Sequence, residues 1–111
     1  MTKEEKFFNE LGEAIKGAEI SKMFGAPALK VKGKAFGCYY EGCIVLKLTG
    51  DDHAKALELS DAMLFDPGKM GRPMKEWVVI PFRHQKEWKM LAQAAFDYVN
   101  AIAPAVKKKK R

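Results

Sequence analysis

"LKVKGKAFGCYYEGCIVLKL", residues 29–48, decides the fold. Leu29 and Val31 alternate with Lys30 and Lys32, the pattern of a strand buried on one side. Gly33 interrupts it. Lys34 to Tyr40 reads as a second strand, Glu41-Gly42 interrupts again, and Cys43 to Leu48 reads as a third with Ile44, Leu46 and Leu48 on one side. Gaps this short join antiparallel neighbours, so the stretch predicts a β-meander. A two-residue turn at Lys32-Gly33 pairs Leu29 with Phe36. A two-residue turn at Glu41-Gly42 pairs Cys38 with Val45, which sends Ile44, Leu46 and Leu48 to the other side from Leu29, Val31 and Phe36. If the meander has a single buried face, one turn must hold an odd number of residues. A three-residue loop with left-handed Gly42 meets that condition, sets Cys38 against Ile44 and turns Cys43 outward.

Working outward, Thr2-Lys3-Glu4-Glu5 is a capping box. Phe8, Leu11 and Ile15 follow at helical spacing, so a first helix is expected over 3–17. Thr49-Gly50-Asp51-Asp52 opens a second helix, capped by Asp51 or Asp52 and ending near Ser60, with Ala54, Leu57 and Ala62 as a thin apolar side. Met63-Leu64-Phe65 is a short extended piece, and Trp77 to Ile80 another strand. Trp88, Leu91, Ala92, Ala95, Phe96, Val99 and Ile102 mark an amphipathic helix over 84–102, stopped by Pro104. The expected architecture is α+β: one domain over 1–106, an antiparallel sheet of about four to five strands packed against N- and C-terminal helices, and a basic tail over 107–111.

The chain of 111 residues is 48% hydrophobic, enough for one core and too short for two domains. Its net charge is +6. Five of its 20 cations are Lys107, Lys108, Lys109, Lys110 and Arg111; the other 15 against 14 anions leave the first 106 residues at +1. The body is close to neutral, and the tail is suited to polyanions through counterion release. No apolar run approaches the ~18–20 residues that cross a bilayer, and no apolar leader follows the start. A cytosolic protein without a membrane partner is expected. Cys38 and Cys43 lack metal-site and C-x-x-C spacing and read as reduced thiols. His53 and His84 sit in no nucleophile context, Ser21 and Ser60 read as local cap or turn residues, and no phosphate-cradling glycine loop is present. No catalytic residue, cofactor or metal is expected.

Lys32-Gly-Lys-Ala-Phe-Gly-Cys-Tyr39 matches part of an RNA-recognition stretch, but Lys34 replaces a stacking aromatic and Gly37 an aliphatic, and the preceding β-α-β passage is missing. That fold is excluded. What survives is a basic surface of Lys30, Lys32 and Lys47 with Tyr39 on an exposed sheet side.

Met23-Phe24-Gly25, the Gly-Lys-Ala-Phe and Leu-Lys-Leu hairpins, and Gly71-Arg-Pro-Met-Lys-Glu-Trp-Val-Val-Ile-Pro81, in this order between two helices, resemble the TfoX N-terminal domain-like family. The similarity runs from Ile20 to the last helix. It implies an α+β fold with an antiparallel sheet, kinship with regulators of competence genes, and no catalytic residues. The regulators that name the family carry a second, C-terminal domain, where this chain has its lysine tail.

Two functional expectations follow. The first is a regulatory or accessory protein that contacts nucleic acid non-specifically through the tail, the Lys30, Lys32 and Lys47 surface, and the loop cations Lys69, Arg72 and Lys75. The second is a protein-interaction module, including a homodimer joined through a sheet edge or the last helix, with no nucleic-acid role. In the loop, Gly71 allows a positive φ, Pro73 fixes the approach and Met74 fills space beside Trp77; the alternative use is as a binding loop led by Arg72.

Overall fold

The computed structural model of the chain describes residues 2–23, 26–66 and 74–102. Helix α1 (Lys3–Ala14) leads into strands β1 (Glu19–Met23), β2 (Ala26–Val31), β3 (Lys34–Tyr40) and β4 (Cys43–Lys47). Helix α2 (Gly50–Glu58) precedes β5 (Met63–Phe65) and β6 (Met74–Pro81), and a single 3₁₀ turn over Phe82–His84 opens α3 (Gln85–Ile102). All pairings are antiparallel, and the six strands lie in the order β1-β2-β3-β4-β6-β5. The fold is α+β as expected, with β1 the strand that the sequence did not predict.

The face conflict in the meander is resolved where the sequence did not place it. Both turns hold two residues, with Lys32 and Gly33 at φ 53° and 78°, and Glu41 and Gly42 at φ 49° and 83°. Such left-handed pairs match the twist of a hairpin. The odd residue is in β3 instead: Leu29 pairs with Gly37 but Lys30 with Ala35, so Phe36 is the extra residue of a bulge. Cys38 therefore opposes Val45, not Ile44, and the three-residue loop at Gly42 is not formed. The bulge puts Phe36 on the same side as Leu29, Val31, Ile44 and Leu46, where all three helices lie.

That side is the main core. Phe8 and Leu11 of α1, Ala56 of α2, and Trp88, Leu91, Ala92, Ala95, Phe96 and Val99 of α3 close over it. The α3 stripe is buried as the spacing predicts, except that Ile102 is exposed. The Trp88 indole N–H donates to the Pro81 carbonyl at 3.1 Å, and its ring meets those of Phe7 and Phe82. At the start of α1, the Glu5 amide donates to Thr2 Oγ1 at 3.1 Å, and the same oxygen hydrogen-bonds the Tyr39 hydroxyl at 3.2 Å. The cap thus ties the helix to the sheet. Helix α1 ends at Ala14, short of residue 17.

Helix α2 corrects two expectations. Its N-cap is Thr49, with no side-chain cap bond, and Asp51 and Asp52 stand in the first turn. Its buried residue is Ala56, whereas Ala54 is exposed. Ser21 lies within β1, a strand rather than a turn. Among the described residues, no helix is long and apolar enough to cross a membrane.

Candidate functional site: an apolar cleft with an acidic rim

The sheet has a second apolar side. Ala28, Cys38, Val45 and Val79 stand in register across β2, β3, β4 and β6, and Met63 of β5 completes the row. Ala28, Cys38, Val45 and Phe65 are buried, with Tyr40, Trp77 and Val79 packed around them. No described helix residue contributes to this cluster. The reason is legible in β4 and β6: Ile44-Val45-Leu46 and Val78-Val79-Ile80 are apolar at both parities, the signature of strands covered on both sides.

At the β5 end this side opens into a cleft of about 450 Å³, lined by Tyr40, Cys43, Met63, Phe65 and Val79, with Glu41 and Asp66 at its rim. The Tyr40 and Phe65 rings meet edge to face at 5.1 Å, although β4 and β6 lie between their strands. Strands are spaced ~4.8 Å apart, so the two side chains lean toward each other across the intervening strands. Met63 is 60% exposed at the mouth. Among the described residues, the charged ones that line the cleft are the acids Glu41 and Asp66. Strand β5 is the last of the sheet and pairs only with β6 among the described strands, so its outer backbone edge flanks the cleft.

The cleft holds the half-buried Cys43. Burial, then the neighbouring Glu41 carboxylate, pushes its thiol up, and its S–H lies 3.9 Å from the Glu41 carbonyl oxygen. Burial pushes Cys38 up to about 11. A thiolate is the nucleophilic form of cysteine, and both environments oppose it. Both cysteines are free and share this side of the sheet, a correction to the expectation that Cys43 alone would face away from the core. Among the described residues, no three His, Cys, Asp or Glu side chains gather as a metal site.

The predicted basic surface is not assembled as one. Tyr39 faces the helices, where its ring meets Phe8 at 6.0 Å. Lys32 sits in the β2–β3 turn and donates toward the Asn100 carbonyl of α3 at 3.4 Å. Lys47 lies 3.8 Å from Glu76. Lys30 stands on β2 opposite Glu19 and Ala35. Lys75 is exposed on β6, and its carbonyl accepts a 2.7 Å hydrogen bond from His53 Nε2. Lys69, Arg72 and the tail Lys107–Arg111 lie outside the described residues, as do Gly71, Pro73 and the Met74 side chain. His84 Nε2 donates to the Ser60 carbonyl at 2.8 Å, locking the loop after α2 onto the start of α3.

Comparison of the chain with protein-family models, curated proteins and solved structures finds no match in any of the three.

Proposed function

We propose that this chain is a non-catalytic interaction module of the cytosol that takes an extended peptide segment at the β5 edge. An apolar side chain of the segment enters the Tyr40–Met63–Phe65–Val79 cleft, and a Lys or Arg beside it meets Glu41 and Asp66. The observation that carries this reading is an apolar cleft whose charged lining residues, among the described residues, are acids, next to a strand edge that no described strand pairs. Edge pairing supplies main-chain hydrogen bonds and the cleft supplies side-chain selection. The two aromatic rings add attraction for a cation placed over a ring face. The raised thiol of Cys43 supports binding over covalent chemistry.

Kinship with TfoX N-terminal domain-like proteins is part of the same proposal. It rests on the order of motifs from Met23 to Pro81 and on the helix–meander–helix arrangement.

The test is selection of random peptides on the full chain from a display library. Enrichment of segments with alternating apolar residues and a Lys or Arg is expected. Met63→Lys should abolish it, and Glu41→Lys should shift the selected charge toward Asp and Glu. Selection that ignores both substitutions overturns the reading. The nucleic-acid reading is separated by measuring duplex and single-stranded DNA binding at two salt concentrations, for the full chain and for one ending at Val106. Tail-driven binding through five phosphates has a log–log salt slope of about −4.5 and disappears with the tail. Binding that survives truncation and discriminates between DNAs would give the body a nucleic-acid role instead.

A further inference from the structure

Helix α3 has a second stripe that the core does not use. Trp88, Leu91, Ala92, Ala95, Phe96 and Val99 are buried on one side. At 3.6 residues per turn, Lys86, Met90, Gln93, Asp97 and Ala101 fall on the opposite side. A shallow groove of about 570 Å³ lies along it, with Lys86 and Lys89 at one end, Met90 and Ala94 in the middle and Asp97 at the other end. Met90 is 60% exposed. Gln93 donates to Asp97 Oδ1 at 3.1 Å and holds that carboxylate on the outward side. Among the described residues, none of Lys86, Lys89 and Asp97 forms an ion pair.

The charge order along this stripe is directional: cations first, a short apolar centre, then an anion. A surface of that kind is complementary to itself when reversed. We infer that the outward side of α3 is the docking surface for a second copy of this chain, packed antiparallel about a two-fold axis near Met90 and Ala94. In that arrangement Lys86 of each copy faces Asp97 of the other, and each Met90 packs against Gln93 and Ala94 across the axis. A parallel pairing sets Lys86 and Lys89 against their own counterparts and is rejected by repulsion. A two-fold interface requires this self-complementarity of a single patch.

The contact runs about 22 Å from Lys86 to Ala101. One such helix pair covers on the order of 1,000 Å² in total, at the low end of specific interfaces. An interface of this size belongs with weak, transient contacts, so reversible association is expected.

Sedimentation velocity on the full chain between ~10 µM and ~1 mM, at low salt, is the test; this range brackets a low-area interface. The mass should move from one chain toward two as concentration rises. Met90→Glu, Lys86→Asp and Asp97→Lys should each weaken association at least ~10-fold, by adding charge to the centre or setting like charges opposite. The double variant Lys86→Asp with Asp97→Lys should restore it. All three positions face solvent, and thermal melts check that each variant folds. A chain that stays single at ~1 mM, an association indifferent to Met90→Glu, or a double variant that stays dissociated overturns the inference. Met63→Lys separates this surface from the β5 cleft: it should leave the mass unchanged, and loss of pairing on that substitution also overturns the inference.

Discussion

The Tyr98 hydroxyl donates a 2.6 Å hydrogen bond to Glu76 Oε2, fastening α3 to β6. Glu76 has the parity of Val78, which packs in the core under the helices, so its side chain is on the α3 side of the sheet. The Glu76 hydrogen bond, followed by partial burial and the Glu76 charge, raises the Tyr98 pKa, against an opposing hydrogen bond from Thr49. A raised acid pKa in the folded state means that the fold holds this proton more tightly than the unfolded chain does. Its contribution is whole below the ordinary tyrosine pKa of about 10 and is lost as pH rises through the raised value. Tyr98→Phe should cost about 0.5–1 kcal/mol at neutral pH, since solvent reaches the pair. It should also flatten the alkaline fall in stability. Urea melts of both proteins across the alkaline range are the check.

Gly12 lets α1 sit close to the sheet. A Cβ placed there would stand 2.5 Å from Leu29 Cδ2, and Leu29 is fully buried. Alanine gains about 1 kcal/mol of helix propensity but overpacks a full site, at a cost of about 1–3 kcal/mol. Gly12→Ala should be net destabilising by about 1 kcal/mol. Leu29→Val in the same chain should relieve much of the clash, giving a favourable coupling in a double-mutant cycle.

The turn at Lys32-Gly33 sets a lysine at φ 53°, where side chains other than Asn and Asp are strained. Lys32→Asn should stabilise by about 0.5–1 kcal/mol, a rise in Tm of a few degrees for a domain of this size. The same melt on Glu41→Asn should move in the same direction, because Glu41 occupies the equivalent turn position at φ 49°.

The two thiols should differ in alkylation. Cys43 is half-buried and reacts slowly in the native state; Cys38, at about 11 and buried, reacts only on unfolding. Glu41→Gln removes a charge that raises the Cys43 pKa and should speed its alkylation several-fold at neutral pH. Mild oxidation should leave both thiols free. Cys38 opposes Val45 while Tyr40 opposes Cys43, so the two cysteines are diagonal neighbours, ~7–8 Å apart and beyond easy disulfide reach.

Periodicity made α3 and the meander legible because both bury one regular stripe. It missed β1, an edge strand whose Ile20 is itself half-exposed and whose other residues carry little apolar signal. It also assumed one buried side of the sheet. That premise led to a bulge at Gly42, whereas a tertiary fit placed the extra residue at Phe36, under Phe96. The cleft was invisible for the same reason: Tyr40 and Phe65 are 25 positions apart on non-adjacent strands, and their rings meet only by leaning across β4 and β6. Of the Lys30, Lys32 and Lys47 grouping, Lys32 lies in the β2–β3 turn and its side chain reaches the Asn100 carbonyl of α3, a contact that no periodicity encodes.

The position of β6 between β4 and β5 also bears on synthesis. Until Pro81 clears the ribosome, β4 presents Ile44, Val45 and Leu46 along an unpaired backbone edge. Nascent chains of intermediate length are thus prone to stick to neighbours on the same polysome, as bare apolar strands do. A premature stop codon ahead of β6 yields an adhesive fragment, one for proteases to clear, where a stop after Ile102 spares all six described strands.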